Sequence, residues 1–74
     1  MIMLRILSRA GNLYQQDTQV KSFKYPYQNP IGGVLEVTTL NGKTVRSTKI
    51  HQVIINQGLT VIDCNDLRYM FATS

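Results

Sequence analysis

The sequence predicts an all-β fold, either a small antiparallel barrel or a curled meander sheet of about five to six short strands. Short runs that are apolar or alternate with polar residues fill most of the chain, and they are rich in β-branched and aromatic residues. Turn residues separate these runs. The predicted strands are Ile2–Ser8, 18–25, 34–40, 43–50 with a continuation at 53–55 after a kink at His51, Leu59–Cys64 and Leu67–Thr73. The predicted turns are Gly11-Asn12, Asn41-Gly42, Asn56-Gln57-Gly58 and Asn65-Asp66.

The first third of the chain leaves one alternative open. Ile2–Ser8 is apolar on both faces except at Arg5, which indicates a buried strand. Residues 18–25 alternate loosely, and strict alternation places Phe23 and Tyr25 on one face and Val20 on the other. The alternative is an α+β fold with one short helix over residues 12–19.

Asn41-Gly42 is the strongest local indication of a turn in the sequence. Both residues tolerate the positive φ of a two-residue type I′ turn, so residues 34–40 and 43–50 are expected to form a hairpin. Such a turn sets the register. The expected pairs are Leu40 with Lys43, Val37 with Arg46 and Leu35 with Thr48.

The last strand carries the clearest core face. Leu67, Tyr69 and Phe71 alternate with more polar or smaller residues, so these three side chains are expected to point into the core. Cys64 lies in an apolar run without a basic neighbour, which predicts a buried, unreactive thiol.

A chain of 74 residues is enough for one small domain, residues 1–74. Only 16% of the residues are charged, against about 25% in an average domain. Residues 50–62 contain no Asp, Glu, Lys or Arg. Because an uncharged exposed edge invites association, this stretch is expected in the middle of a sheet, in a barrel wall or under another chain.

Composition also limits the location and the chemistry. The apolar N-terminus is too short for a membrane span and is interrupted by Arg5, and there is one cysteine, so a cytoplasmic protein without membrane contact is expected. His51 and Cys64 are the only residues of their types. We therefore expect no enzyme, no catalytic residue, no metal, no cofactor and no small-molecule substrate.

Protein binding is the expected function. The chain has little core for a lone domain, and the irregular segment 26–33 offers a contact loop in which tyrosines bury large areas at low entropic cost. We expect an accessory factor, regulator or inhibitor, of a kind that phages and mobile elements carry, with a protein partner and compatible with a homodimer. The expected contact residues are Tyr25, Tyr27, Gln28 and Asn29.

The alternative is a nucleic-acid-binding barrel. The formal net charge is +4, which suits phosphate contacts without requiring them. Basic residues interleave with aromatic rings in residues 21–27 and recur on the predicted hairpin. One shared basic face would favour nucleic acid, and scattered charges would favour a protein partner. The expected residues are Lys21, Lys24, Lys43, Arg46 and Lys49.

Overall fold

The computed structural model describes residues 1–29 and 31–73, which form one antiparallel sheet of seven strands without a helix. The all-β prediction is confirmed, but there are seven strands rather than five or six, and the helix considered for residues 12–19 is wrong. No helix in the described ranges is long and apolar enough to cross a membrane. The strands are β1 (Ile2–Ser8), β2 (Leu13–Lys24), β3 (Val34–Thr39), β4 (Thr44–Thr48), β5 (Ile50–Asn56), β6 (Leu59–Cys64) and β7 (Leu67–Thr73).

The sheet is curled into a half-barrel. Its strand order is β4-β3-β2-β1-β7-β6-β5, so β4 and β5 are the two edges. These two edges are consecutive in the chain and only Lys49 separates them, which requires the sheet to curl until its edges meet at that residue. Lys49 has a φ of 62°, outside the β region, and it therefore divides the single strand predicted for residues 43–50.

β2 bends because it carries extra residues opposite both of its neighbours. Register shifts occur against β1 and, at Lys21, against β3. A one-residue bulge reverses the alternation of side chains beyond it. Val20 is therefore buried on the same side as Phe23 and Tyr25, and the prediction that Val20 lies on the opposite face is wrong.

The β3–β4 hairpin forms in a different register from the predicted one. Val37 faces Val45 instead of Arg46. The turn is the reason, since the Thr39 amide donates to the Lys43 carbonyl oxygen at 2.8 Å and so encloses a loop of three residues. The observed pairs are Val34–Thr48, Leu35–Ser47, Glu36–Arg46, Val37–Val45 and Thr38–Thr44, so the predicted pairing of Leu40 with Lys43 is also wrong.

Two turns of the sheet use glycine in different ways. In the β3–β4 loop only Gly42 has a positive φ, as expected for a three-residue loop that ends in a left-handed residue. In the β5–β6 turn both Gln57 and Gly58 have a positive φ, of 45° and 79°. That turn joins the paired residues Asn56 and Leu59, so it is the two-residue type I′ turn of this chain, shorter than the sequence predicted.

Alanine substitutions separate backbone strain from crowding at these two turns. We expect Gly42→Ala to lower the free energy of unfolding by about 1 kcal/mol, because φ is 88° but a Cβ meets no atom within 4 Å. Gly58→Ala is expected to cost more, since its Cβ would also lie 3.3 Å from the Thr73 carbonyl oxygen. Urea unfolding followed by circular dichroism measures both values, and equal losses would contradict this interpretation.

The core lies on the inner side of the curl. Phe71, Leu35 and Ile62 are fully buried there, and the Phe23 ring stacks on Phe71 with centroids 4.0 Å apart. Leu67 and Tyr69 pack against the same core, which confirms the predicted inward face of the last strand. The buried apolar residues are Leu4, Ile6, Val20, Tyr25, Leu35, Val37, Ile50, Ile62, Cys64 and Phe71.

The uncharged segment 50–62 divides between two environments. Its second half is β6, which lies between β7 and β5 as expected for a central strand. Its first half is β5, which is an edge. Ile54 and Ile55 on that edge are 47% and 63% exposed. We expected this segment in the middle of a sheet, in a barrel wall or under another chain. For β5, an edge strand, only the expectation of a covering chain remains.

Candidate functional site

An open groove of about 330 Å³ runs along the inner side of the half-barrel. Side chains from five strands line it, and we call those from β1 and β7 its floor and those from the neighbouring strands β2, β3 and β4 its walls. We call it the inner groove. Its floor is formed by Leu4, Ile6, Leu67 and Tyr69, and its walls by Tyr14, Gln15, Thr18, Gln19, Val20, Val37, Thr39, Val45 and Ser47.

The local sequence explains why these side chains meet. Val45 and Ser47 are two residues apart on β4, so they point to the same side of the sheet. Tyr14 lies at a register shift between β1 and β2, where β2 departs from regular pairing with β1. The hydroxyl oxygens of Ser47 and Tyr69 are 2.8 Å apart, and this hydrogen bond connects β4 to the floor strand β7.

The lining of the inner groove is suited to binding an apolar side chain together with the peptide backbone that carries it. Its lining contains no charged residue, and its polar atoms are hydroxyls and amides. At the rim, Tyr14 is 67% exposed and Val45 is 48% exposed. An apolar floor with a few polar groups near its edge is the usual composition of a binding pocket.

The contact residues predicted in the loop after β2 divide between core and surface. Tyr25 is buried, and its ring lies 6.2 Å from that of Phe23. Burial raises the pKa of the Tyr25 hydroxyl, and the neighbouring Tyr27 raises it further. Tyr27 packs 4.6 Å from Tyr25 but is 79% exposed, and Gln28 and Asn29 are exposed beside it. Three of the four residues therefore share a surface loop.

The predicted basic residues are all exposed, and they do not form one continuous face. Lys24 and Arg46 lie in one row across β2, β3 and β4, with Glu36 between them. The Arg46 Nε lies 3.2 Å from a Glu36 carboxylate oxygen. Lys21 lies at the bulge of β2, and Lys43 and Lys49 flank the two ends of β4.

Ion pairs neutralise arginines rather than lysines. Besides the Glu36 pair, Arg5 binds Asp17 at 2.7 Å and Arg68 binds Asp63 at 2.9 Å. Within residues 1–29 and 31–73 no lysine makes an ion pair. The excess positive charge of the surface is therefore carried mainly by lysines.

Cys64 and His51 lie in different environments. Cys64 is 1% exposed, which confirms the predicted buried thiol. Burial, followed by the Asp63 carboxylate, raises the pKa of the thiol to about 11, so the reactive thiolate is scarce at neutral pH. His51 is exposed at a bulge of β5. In the described part of the chain, no cluster of three or more His, Cys, Asp or Glu side chains is arranged to hold a metal.

Sequence reasoning missed the inner groove. Its residues come from five strands, β1 to β4 and β7, and the alternation within each strand indicates only which residues share a face. The aromatic residues and valines of these strands were the available indication of an apolar binding surface, but no sequence feature marks the bulges of β2 that place Tyr14 at the rim.

Comparisons of the chain with protein-family models, with curated proteins and with solved structures found no match.

Proposed function

We propose that this chain is a small non-enzymatic binding protein that acts through contacts with a partner protein, and that the inner groove is its contact site. The observation that carries the proposal is the open, uncharged, apolar groove of about 330 Å³. An accessory factor, regulator or inhibitor acts by such occupancy and needs no reactive side chain.

The shape of the inner groove favours a protein segment as the ligand. Its rim residues Tyr14 and Val45 add exposed apolar area to the lining. An extended peptide or loop would place one large apolar side chain on the floor at Leu4 and Leu67, while Thr18 and Ser47 supply hydrogen bonds to its backbone. Tyrosine contributes large contact area at low entropic cost, which is typical of protein-binding surfaces.

A charge in the inner groove tests the proposal. We expect Val45→Asp to weaken partner binding at least about tenfold, because a carboxylate desolvated against the apolar floor costs more than about 1.4 kcal/mol. Thr44→Asp is the matched control, since Thr44 is exposed and its side chain points to the outer side of the sheet. The partner is found by photo-cross-linking from position 14 and binding is then measured by titration calorimetry.

A second position provides the control for the cross-linking step. Leu40 is 60% exposed at the tip of the β3–β4 hairpin and does not line the inner groove. A photoreactive residue at position 14, but not at position 40, is expected to capture the partner, and Val45→Asp is expected to remove that product. Equal capture from both positions, or binding that tolerates Val45→Asp as well as Thr44→Asp, would reject the inner groove as the contact site.

Nucleic-acid binding is the second candidate, and it is favoured by the surface lysines that lack ion-pair partners in the described residues. Anisotropy of labelled single- and double-stranded oligonucleotides, titrated at several salt concentrations, tests it. Binding that weakens steeply with salt and is lost when Lys43, Arg46 and Lys49 are replaced by Glu would support phosphate contacts. Absence of binding at low salt would exclude this candidate.

A further inference from the structure

The two edges of the sheet differ in charge. The β4 edge carries Arg46 in its middle and is flanked by Lys43 and Lys49. Charged side chains on an edge strand discourage pairing with another chain. The β5 edge carries no Asp, Glu, Lys or Arg, and it exposes Ile54 and Ile55. Only one edge of the sheet is therefore protected by charge.

The turn that ends β5 determines which backbone groups face outward. Asn56 and Leu59 flank a two-residue turn, so they form a pair that exchanges hydrogen bonds within the hairpin. Such pairs alternate along an antiparallel ladder. Ile54, opposite Val61, therefore bonds to β6, whereas the N–H and C=O groups of Val53 and Ile55 point away from the sheet.

These outward groups match those of a second, identical strand. If two copies of β5 meet antiparallel about a twofold axis at Ile54, Val53 of each copy lies opposite Ile55 of the other and exchanges hydrogen bonds with it. Ile54 then faces its own equivalent, and Gln52 faces Asn56. Every opposed pair is apolar with apolar or amide with amide, and no like charges meet.

The side chains beside the axis also favour a second copy. Ile54, Val61 and Met70 lie in one row across β5, β6 and β7 on the outer side of the sheet. Pairing about Ile54 joins this row to its equivalent in one continuous apolar stripe. Two chains that each carry a net charge of +4 repel one another, and the uncharged edge is where they approach with the least repulsion.

We propose that a second copy of this chain binds along β5 and forms a twofold-symmetric dimer whose sheet continues through two antiparallel β5 strands, with Ile54 opposite Ile54. Because the axis uses the same edge in both copies, the contact is closed, and the charged β4 edges at the two ends do not extend it into a fibre. This dimer leaves the inner groove open and is independent of its proposed function.

The mass in solution tests the dimer. Sedimentation equilibrium over a range of concentrations is expected to give twice the 8.4 kDa chain mass for the unchanged protein. Ile54→Lys and Ile54→Glu are each expected to give a single-chain mass, since each places like charges on the axis. Leu40→Lys, at an exposed position away from β5, is expected to remain a dimer. Circular dichroism confirms that each variant is folded.

Mixing the two charged variants tests the register. Because residue 54 faces itself, Ile54→Lys and Ile54→Glu together are expected to form a mixed dimer, although neither self-associates. In a Cys64→Ser background, Ile54→Cys is expected to form an interchain disulfide on mild oxidation, as directly opposed residues of this type lie about 4.5 Å apart. Gln52→Cys is not expected to do so, because residue 52 faces residue 56.

Three outcomes would overturn the proposal. One is a single-chain mass for the unchanged protein at every concentration. Another is a dimer that survives Ile54→Lys, which would place the contact elsewhere. The third is equal disulfide formation by Gln52→Cys and Ile54→Cys, which would exclude the register. A single-chain mass combined with capture of a different protein from position 54 would assign the β5 edge to another partner and would also reject the dimer.

Discussion

Phe71→Ala is expected to lower the free energy of unfolding by about 3–5 kcal/mol. The ring is fully buried and stacks on Phe23 at 4.0 Å, so its removal leaves a cavity at the centre of the half-barrel. At about 0.05–0.15 kcal/mol per residue, a chain of 74 residues has roughly 4–11 kcal/mol of stability in total. The variant is therefore expected to be largely unfolded at modest urea concentrations, as measured by circular dichroism and intrinsic fluorescence.

Two variants test whether this loss comes from burial. Tyr14→Ala also removes an aromatic ring, but Tyr14 is 67% exposed, so its effect on unfolding is expected to stay within about 0.5 kcal/mol. Phe71→Leu retains most of the apolar volume, so its loss of unfolding free energy is expected to lie between those of Tyr14→Ala and Phe71→Ala. A Phe71→Ala variant with the same urea midpoint as Tyr14→Ala would show that the core is not centred on this ring.

Local sequence patterns were sufficient to predict most strands of this fold. The alternation of Leu67, Tyr69 and Phe71 predicted their inward face, because a strand repeats every two residues whatever its neighbours are. The turn at Asn65-Asp66 was also located correctly, with Cys64 paired to Leu67. These features depend on residues close together in the chain.

Register was not predictable from the same patterns. The residue pair Asn41-Gly42 is compatible with a two-residue loop and with a three-residue loop that ends in Gly42, and the two differ by one position along the whole hairpin. Lysine has no preference for a bulge or for the left-handed backbone conformation. The sequence therefore does not mark the bulge at Lys21 or the left-handed backbone of Lys49. Each changes which side chains meet.

The sites depend on this non-local geometry. The uncharged segment 50–62 was visible in the sequence, but its position at an edge follows from the curl that brings β4 and β5 together at Lys49. Tyr25 was expected at a contact surface with Tyr27, yet Tyr25 belongs to the core and Tyr27 is 79% exposed. The prediction of binding therefore came from the composition, whereas the topology determines which surfaces of the chain are exposed.

Arg68→Ala is expected to lower the free energy of unfolding by about 1–3 kcal/mol. Asp63 is 9% exposed, and Arg68 binds its carboxylate from the directly opposed position on β7 at 2.9 Å. Removing the guanidinium leaves a largely buried carboxylate without its ion-pair partner, which costs more than the loss of the pair itself. Urea unfolding at neutral pH measures the change.

Arg5→Ala is the matched control, since Arg5 binds Asp17 at 2.7 Å but both side chains are about half exposed, at 51% and 48%. Its expected cost is about 0–1 kcal/mol, because water replaces the lost partner. Adding Asp63→Ala to Arg68→Ala is expected to recover part of the stability, since the unpaired carboxylate is then absent. Equal losses for the two arginine variants, or a further loss in the double variant, would show that burial of Asp63 does not determine the strength of this contact. The comparison tests burial against geometry, because the exposed Arg5–Asp17 pair makes two hydrogen bonds, at 2.7 and 3.2 Å, whereas the Arg68–Asp63 pair makes one, at 2.9 Å. Geometry alone would therefore predict the larger loss for Arg5→Ala, and burial predicts it for Arg68→Ala.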